Sequence, residues 1–161
     1  MNRTRALTLG IAVPAALAGA VLWMTPATGS QGAVPAVGTW SMTIDPAGPP
    51  PAFPSLVSLN RGGTLAESVS GVPGPAVALL QANGAGGGMG SWKMTGSDLV
   101  LVFERFLYKD GAFVGRQHVE ASGTVDGNST TQVATATFYN AAGVKVGPTL
   151  TLDVSGTRMT P

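Results

Sequence analysis

The sequence predicts an all-β domain, an eight-stranded antiparallel up-and-down barrel, and three observations lead to this fold class. From Val37 onward, short runs rich in β-forming residues alternate with turn signals. These runs show almost no helical periodicity. Only one connection, 71–89, is long enough for the crossover that a Greek-key sandwich needs, which leaves the sandwich as the less favoured alternative. A closed barrel also removes every exposed strand edge.

The predicted strands follow one another at short intervals. Turn signals such as Arg61-Gly62-Gly63, Gly96-Ser97 and Asp110-Gly111 separate several of them. Residues 49–54 are proline-rich and are predicted to lie outside the sheet interior. In chain order, the predicted strands are 37–44, 55–60, 64–70, 91–95, 98–109, 113–126, 132–139 and 145–158.

The long connection contains two different segments. Residues 75–82 are predicted to form one or two helical turns. Residues 83–90 include five glycines, and we expect a loop there that acts as a flexible flap over the barrel mouth. The glycine run lacks the Gly-Lys-Ser/Thr sequence and the following helix of a phosphate-binding loop, so no nucleotide cofactor is predicted.

The first 29 residues are predicted to be a secretory signal peptide. Arg3 and Arg5 form a positively charged start, an apolar run covers 7–23, and Ala27-Thr28-Gly29 provides small residues for cleavage behind Pro26. An uncleaved membrane anchor is the alternative. Residues 30–36 are predicted to be a linker and 37–161 the barrel domain, in a protein that is secreted or otherwise extracytoplasmic.

Cleavage of the signal peptide gives the first testable prediction. The protein recovered from outside the cytoplasm should begin near Ser30, because the predicted cleavage site lies just behind Gly29. Intact-mass measurement should show the loss of close to 29 residues. A full-length species held in the membrane fraction would favour the anchor instead.

Charge and cysteine content exclude several functions. Removal of Arg3 and Arg5 leaves seven basic and eight acidic residues, a net charge near −1, with no basic cluster for nucleic acid or for an anionic membrane surface. The sequence contains no cysteine, which excludes a thiol nucleophile, a disulfide and a cysteine zinc site. His118 is the single histidine, so no metal site is predicted either. We expect a monomer or a weak dimer.

The hairpin turn at 109–111 decides which side chains face the barrel interior, because a one-residue shift turns every side chain to the other face. A three-residue turn pairs Tyr108 with Ala112. A two-residue turn would instead place Arg105 beside Arg116, and like charges directly opposite each other are unfavourable. The three-residue register is therefore predicted.

This register assigns both faces of the hairpin. It places Glu104 opposite Arg116 on the outer wall, together with His118 and Glu120, so His118 is predicted to be an exposed surface residue. Two polar side chains, Arg105 and Gln117, fall on the apolar inner face. The other inner residues are predicted to be Leu101, Phe103, Leu107, Phe113, Val119 and Ala121.

Neighbouring turns extend the assignment to a candidate cavity. A two-residue Gly96-Ser97 turn places Trp92 level with Leu101, and a three-residue turn at 61–63 places Glu67 on the same face as Leu59 and Leu65. An inward Glu67 and an inward Arg105 either pair with each other as a structural ion pair, face a wet cavity, or indicate a wrong register. The candidate ligand-binding residues are Glu67, Trp92, Phe103, Arg105 and Gln117.

The first and last predicted strands carry a family resemblance. Gly38-Thr39-Trp40 opens the first strand and Arg158 lies near the end of the last one, which resembles the lipocalin-like (calycin) barrels. The resemblance implies that Arg158 covers the indole of Trp40 at a closed barrel end. The chain has no C-terminal helix, no disulfide and no second or third lipocalin motif, so it looks closer to bacterial lipocalin-like and allene-oxide-cyclase-like barrels. That resemblance implies either ligand carriage or isomerase and cyclase chemistry.

Three function classes follow from these predictions. The favoured one is a binding protein that holds a small, mostly apolar ligand and orients it with the polar residues of the cavity. The second is a cofactor-free cyclase or isomerase, in which Glu67 or Arg105 would polarise the substrate or carry a proton. The third is a structural extracellular domain with a filled core. Whether the protein is an enzyme is left open, with binding preferred.

Overall fold

A computed structural model describes residues 36–46, 48 and 50–160 of the chain. The predicted signal peptide and nearly all of the predicted linker therefore lie outside the described residues. The described part contains one helix and nine strand segments. They are β1 (Gly38–Pro46), β2 (Phe53–Leu59), β3 (Thr64–Val69), α1 (Gly74–Leu80), β4 (Gly84–Ala85), β5 (Gly88–Thr95), β6 (Asp98–Lys109), β7 (Ala112–Asp126), β8 (Ser129–Asn140) and β9 (Lys145–Arg158).

The strands form a closed antiparallel barrel of eight strands, as predicted. Apart from β4, each strand pairs with the next one along the chain, β3 with β5 included, and β9 returns to pair with β1. The two short segments β4 and β5 pair with the same side of β6 at successive positions, so together they occupy one strand position in the barrel. Among the described residues, every strand except the two-residue β4 therefore has a partner on both sides, which is the arrangement that the short connections favour.

Two of the three predicted turns are confirmed by the strand register. Thr95 pairs with Asp98 around a two-residue turn, which places Trp92 opposite Leu101. Around the 61–63 turn, the backbone N–H of Asn60 donates to the carbonyl oxygen of Thr64 at 2.9 Å.

The turn between β6 and β7 differs from the prediction. Lys109 pairs with Ala112, so the turn has two residues, Asp110 and Gly111, whose φ angles of 50° and 81° suit a type I′ hairpin. The predicted pairing of Tyr108 with Ala112 is wrong, as is the predicted pairing of Glu104 with Arg116.

A β-bulge preserves the predicted faces despite the shorter turn. The register shifts between Leu107 and Tyr108, because one additional residue of β7 is accommodated there. Below the bulge Arg105 pairs with Gln117, and both are buried as predicted. Above the bulge the faces are reversed, so Phe113, predicted to point inward, is 46% exposed on the outer wall.

The glycine run also differs from the prediction, because much of it belongs to the sheet. Residues 84–85 form β4, and β5 begins at Gly88 rather than at Ser91. A Cβ atom on Gly90 would lie 2.0 Å from the carbonyl oxygen of Val102, and one on Gly88 would lie 2.7 Å from the Phe103 ring. Glycine is therefore required here for close packing against β6, and the prediction of a flexible flap is wrong for these positions.

The helix α1 and several prolines lie at the barrel mouth. Ala76 of α1 is fully buried, and Leu80 lies beside Gly115 of β7. The helix occupies most of the segment 75–82 that was predicted to be helical. The prolines reach into the sheet, since β2 begins at Phe53 and includes Pro54. Pro54 is the second residue of its strand, next to the mouth, a position where a missing N–H disturbs few ladder hydrogen bonds.

The opposite end of the barrel is closed by Trp40 and Arg158, as predicted. The two residues are cross-strand partners, and the Arg158 guanidinium carbon lies 4.5 Å from the centroid of the fully buried Trp40 ring. The Trp40 indole donates to the carbonyl oxygen of Ala36 at 2.9 Å, and Nη1 of Arg158 donates to that of Val37. These contacts fasten the start of β1 to the end of β9.

Replacing Arg158 by Ala should lower the free energy of unfolding by about 1–2 kcal/mol, because it removes a cation–π contact and a hydrogen bond. Urea unfolding followed by tryptophan emission measures both the loss and the altered surroundings of Trp40. Arg61→Ala, in an exposed turn, is the control and should change stability by less than about 0.5 kcal/mol. Equal stability of the two variants would show that the contact does not stabilise the closed end.

Candidate functional site

The barrel encloses a small cavity of about 40 Å³ between its middle and its mouth. Its wall is mostly apolar and includes Met42, Val57, Phe103 and Leu152. Five polar side chains interrupt that wall, each at most 5% exposed. They are Ser55, Glu67, Arg105, Gln117 and Gln132.

Glu67 and Arg105 form a buried ion pair across this cavity. Nη2 of Arg105 lies 2.8 Å from Oε1 of Glu67, and the two side chains are 2% and 1% exposed. Burial lowers the pKa of Arg105, and the negative charge of Glu67 counteracts that shift. A guanidinium group remains protonated in proteins, so the part of the cavity wall that the structure describes carries one positive and one negative charge, which balance each other.

Neighbouring side chains hold the ion pair in position. The Ser55 hydroxyl donates to Oε1 of Glu67 at 2.6 Å and lies 3.1 Å from the carbonyl oxygen of Ser68. The guanidinium carbon of Arg105 lies 5.6 Å from the centroid of the Phe103 ring, within cation–π distance. Oε1 of Glu67 therefore accepts two hydrogen bonds, from Ser55 and from Arg105. Oε2 has no hydrogen-bond partner among the described residues and could accept a hydrogen bond from a ligand.

Several polar atoms of the cavity have no hydrogen-bond partner among the described residues. A buried polar group without a partner costs about 1–3 kcal/mol, so native proteins contain few of them. Here they are concentrated at one place, and they include both donors and acceptors. They are Oε2 of Glu67, Nε and Nη1 of Arg105, Oε1 of Gln117 and Oε1 of Gln132.

A second chamber of about 210 Å³ lies at the barrel mouth, above the cavity. The two spaces share four lining residues, Phe53, Pro73, Gln117 and Leu152, so they lie next to each other. We call them the inner cavity and the outer chamber. The remaining residues of the outer chamber are Pro46, Gly48, Pro50, Pro75, Ala136, Phe138, Leu150 and Thr151.

Four of the five predicted cavity residues lie together. Glu67, Phe103, Arg105 and Gln117 all line the inner cavity. Trp92 is buried but does not line it. The Trp92 indole donates to the carbonyl oxygen of Asn60 at 3.0 Å, beside the 61–63 turn near the closed end of the barrel.

Ser55 and Gln132 were not predicted to line the cavity, although their positions in the strands indicate it. Ser55 lies two residues before the inward-facing Val57, and Gln132 lies two residues before the inward-facing Ala134. Strand alternation alone therefore places both on the inner face. Phe53 and Pro73 were missed for a different reason, since their segments were interpreted as lying outside the sheet.

The outer wall carries a second polar cluster around His118. Nδ1 of His118 lies 3.1 Å from Oε1 of Glu104, and Nε2 lies 3.1 Å from Oε1 of Glu120. Arg116 donates to the same Glu104 oxygen and stacks on Tyr139, with 4.5 Å between the guanidinium carbon and the ring centroid. His118 lies on the outer wall as predicted, but it is half-buried by these neighbours rather than fully exposed.

The Glu104 cluster gives a pH-dependent prediction. Burial raises the pKa of Glu104, but hydrogen bonds and charge from Arg116 and His118 outweigh it, so the pKa lies below its usual value. A depressed carboxylate pKa contributes stability that is present above the unfolded-state pKa and is lost as the pH falls through the folded-state pKa. Because the side chain is 38% exposed, solvent screening limits the contribution of the cluster to about 0.5 kcal/mol.

Replacing Glu104 by Gln should therefore lower the free energy of unfolding by about 0.5 kcal/mol at pH 7 and by nearly nothing at pH 3. Urea unfolding at the two pH values measures this difference. Glu120→Gln, which removes only the more exposed contact with His118, is the matched control. A loss that persists unchanged at pH 3 would mean that Glu104 contributes through packing and not through its charge.

Metal and membrane features are not evident in the described residues. No group of three His, Cys, Asp or Glu side chains in 36–46, 48 and 50–160 is arranged to hold a metal ion. Within the same residues, no helix is long and apolar enough to cross a membrane. Comparison with family models, with curated proteins and with solved structures found no match for this chain.

Proposed function

We propose that this protein binds a small, mostly apolar ligand inside its barrel, as an exported protein of the lipocalin-like type. The observation that carries the proposal is the group of unpaired donors and acceptors on Glu67, Arg105 and Gln117, buried in an otherwise apolar cavity. Apolar walls with a few convergent polar groups are typical of small-molecule sites. A core that served stability alone would be expected to pair or replace these groups.

The lipocalin-like assignment is supported by the closed end of the barrel. The Gly-x-Trp sequence at the start of β1 and the contact between Trp40 and Arg158 reproduce the pattern that the resemblance implies. The meander order of the strands also agrees with such a barrel. Carriage of an apolar molecule in an aqueous compartment is the function that this architecture suits best.

The experiment is to titrate the protein with hexan-2-one, hexan-1-ol and hexanoate and to follow binding by calorimetry and by thermal stabilisation. We expect saturable one-to-one binding of at least one probe. Gln117→Leu should weaken that binding at least fivefold and leave the protein folded, because removal of an unpaired buried acceptor costs little stability. The control is Glu120→Gln on the outer wall. If none of the probes binds, the proposal is rejected.

A second candidate function is cofactor-free isomerisation inside the same cavity. The free Oε2 of Glu67 and the free donors of Arg105 provide a base beside a cation. Glu67 would remove a proton from the carbon next to a carbonyl group and return it two carbons away, while Arg105 stabilises the enolate oxygen. Conversion of a β,γ-unsaturated ketone to its conjugated isomer, followed by ultraviolet absorbance, tests this function, and a rate equal to that in buffer would exclude it for this class of substrate.

A further inference from the structure

We infer that the ligand is an uncharged molecule with a short hydroxyl or carbonyl end in the inner cavity and a longer apolar body in the outer chamber. This inference rests on the proposed binding function and specifies its ligand. Three properties of the site carry it: its charge balance, its unpaired atoms and the different sizes of its two spaces.

The charge balance argues against an ionic ligand. Among the described residues that line the inner cavity, Arg105 is the one positive residue, and its partner Glu67 already neutralises it at 2.8 Å. Of the described residues that line the outer chamber, none is charged. A carboxylate that entered this path would lose its hydration and face both charges of the pair, with no net positive charge to compensate.

The unpaired atoms include both donors and acceptors, and a ligand with a hydroxyl or carbonyl end can satisfy them. Nε and Nη1 of Arg105 need an acceptor, whereas Oε2 of Glu67 and the amide oxygens of Gln117 and Gln132 need donors. A hydroxyl group supplies both kinds. A carbonyl oxygen satisfies the Arg105 donors alone, and a water molecule beside it can then satisfy an acceptor.

The sizes of the two spaces divide the ligand into two parts. A water-sized group needs about 10–15 Å³ of cavity volume. The inner cavity of about 40 Å³ therefore accommodates roughly three non-hydrogen atoms. The body of the ligand must therefore occupy the outer chamber of about 210 Å³. Four prolines line that chamber, and because proline has no N–H group they offer it no backbone donors.

In this placement the ligand spans the boundary between the two spaces, and the residues at that boundary set its orientation. Phe53, Pro73, Gln117 and Leu152 belong to both linings, and Gln117 is the polar member of the four. An apolar chain can lie against the other three residues while its polar end passes Gln117 and reaches Arg105. The polar end therefore enters first, and the apolar end remains nearer to α1 and the mouth.

The charge of the ligand is tested with four six-carbon probes of similar length: hexan-2-one, hexan-1-ol, hexanoate and hexylammonium. Calorimetric titration at pH 7 should show the ketone or the alcohol binding at least tenfold more tightly than either ion. Equal or tighter binding of an ion would overturn the inference while leaving the binding function intact. If no probe binds, the binding function is rejected and the inference with it.

The division of the ligand is tested with a series from butan-2-one to octan-2-one. Each added methylene should tighten binding about fourfold until the outer chamber is filled. Leu150 is half-buried and lines the outer chamber. Leu150→Trp should weaken the binding of octan-2-one at least fivefold and change the affinity for butan-2-one by less than twofold. Val133→Trp, an exposed position on the outer wall, is the matched control. An affinity that does not depend on chain length, or an equal effect of both variants, would overturn the two-part placement.

Discussion

Replacing Arg105 by Met should lower the free energy of unfolding by about 3–5 kcal/mol, because the substitution leaves the buried carboxylate of Glu67 without its partner. At roughly 4 °C per kcal/mol for a domain of this size, the midpoint of thermal unfolding should fall by about 12–20 °C. Methionine fills a similar volume, so lost packing explains little of the expected effect. Calorimetry and urea unfolding measure the change.

Two further variants separate the buried charge from other causes. Glu67→Leu combined with Arg105→Met should restore stability to within about 1 kcal/mol of the original protein, because no unpaired charge then remains in the core. Arg116→Met removes the cation of an ion pair that is about one third exposed, and it should cost less than about 1 kcal/mol. A double variant as unstable as Arg105→Met alone would show that the pair is not what makes the single substitution costly.

Replacing Gly90 by Ala should destabilise the barrel by about 3 kcal/mol or more. The new methyl group would lie 2.0 Å from the carbonyl oxygen of Val102 and 2.6 Å from the Cα atom of Phe103, and backbone atoms of a paired strand cannot move aside cheaply. The strain falls on the pairing of β5 with β6, so hydrogen exchange should accelerate first in those two strands.

The matched control for Gly90 lies in the same glycine run. A Cβ atom on Gly86 would have its nearest neighbour at 3.7 Å, an ordinary van der Waals distance. Gly86→Ala should therefore leave stability within about 0.5 kcal/mol of the original protein or raise it slightly. If both substitutions are tolerated, the glycines of this run are not required for packing.

The barrel and most of its inner face could be predicted from the sequence, because short turns fix strand order and alternation fixes the faces. The burial of Glu67 followed from the 61–63 turn, and the burial of Gln117 followed from avoiding two adjacent arginines. The prediction for the Asp110 turn was wrong in detail, yet Arg105 was placed correctly. The bulge shifts the register by one residue in the direction opposite to that of the predicted longer turn, and because side chains alternate with a period of two, either shift leaves the same residues inside. β-Bulges have no reliable sequence signature.

The remaining errors have a common physical origin. Glycine and proline were interpreted through their local backbone preferences, which favour loops, whereas tertiary packing decided their positions. Gly88 and Gly90 lie in a strand at positions where a side chain would not fit. Pro54 lies in a strand at the barrel mouth. Phe53 and Pro73, from different segments of the chain, both line the outer chamber. That proximity is long-range, and a single sequence does not reveal it.

The pairing of β1 with β9 has a consequence for the order of folding. Trp40 and Arg158 pair although the other strands all lie between them in the sequence, so the hydrogen-bond circuit cannot close until β9 has been synthesised. Such a high contact order predicts folding over milliseconds to seconds rather than microseconds. During that interval β1 and β9 each have one unpaired side, and they are the segments through which two nascent molecules would exchange strands. A circular permutant that joins the two ends and opens the 61–63 turn would make this pair local, and it should fold faster than the natural order.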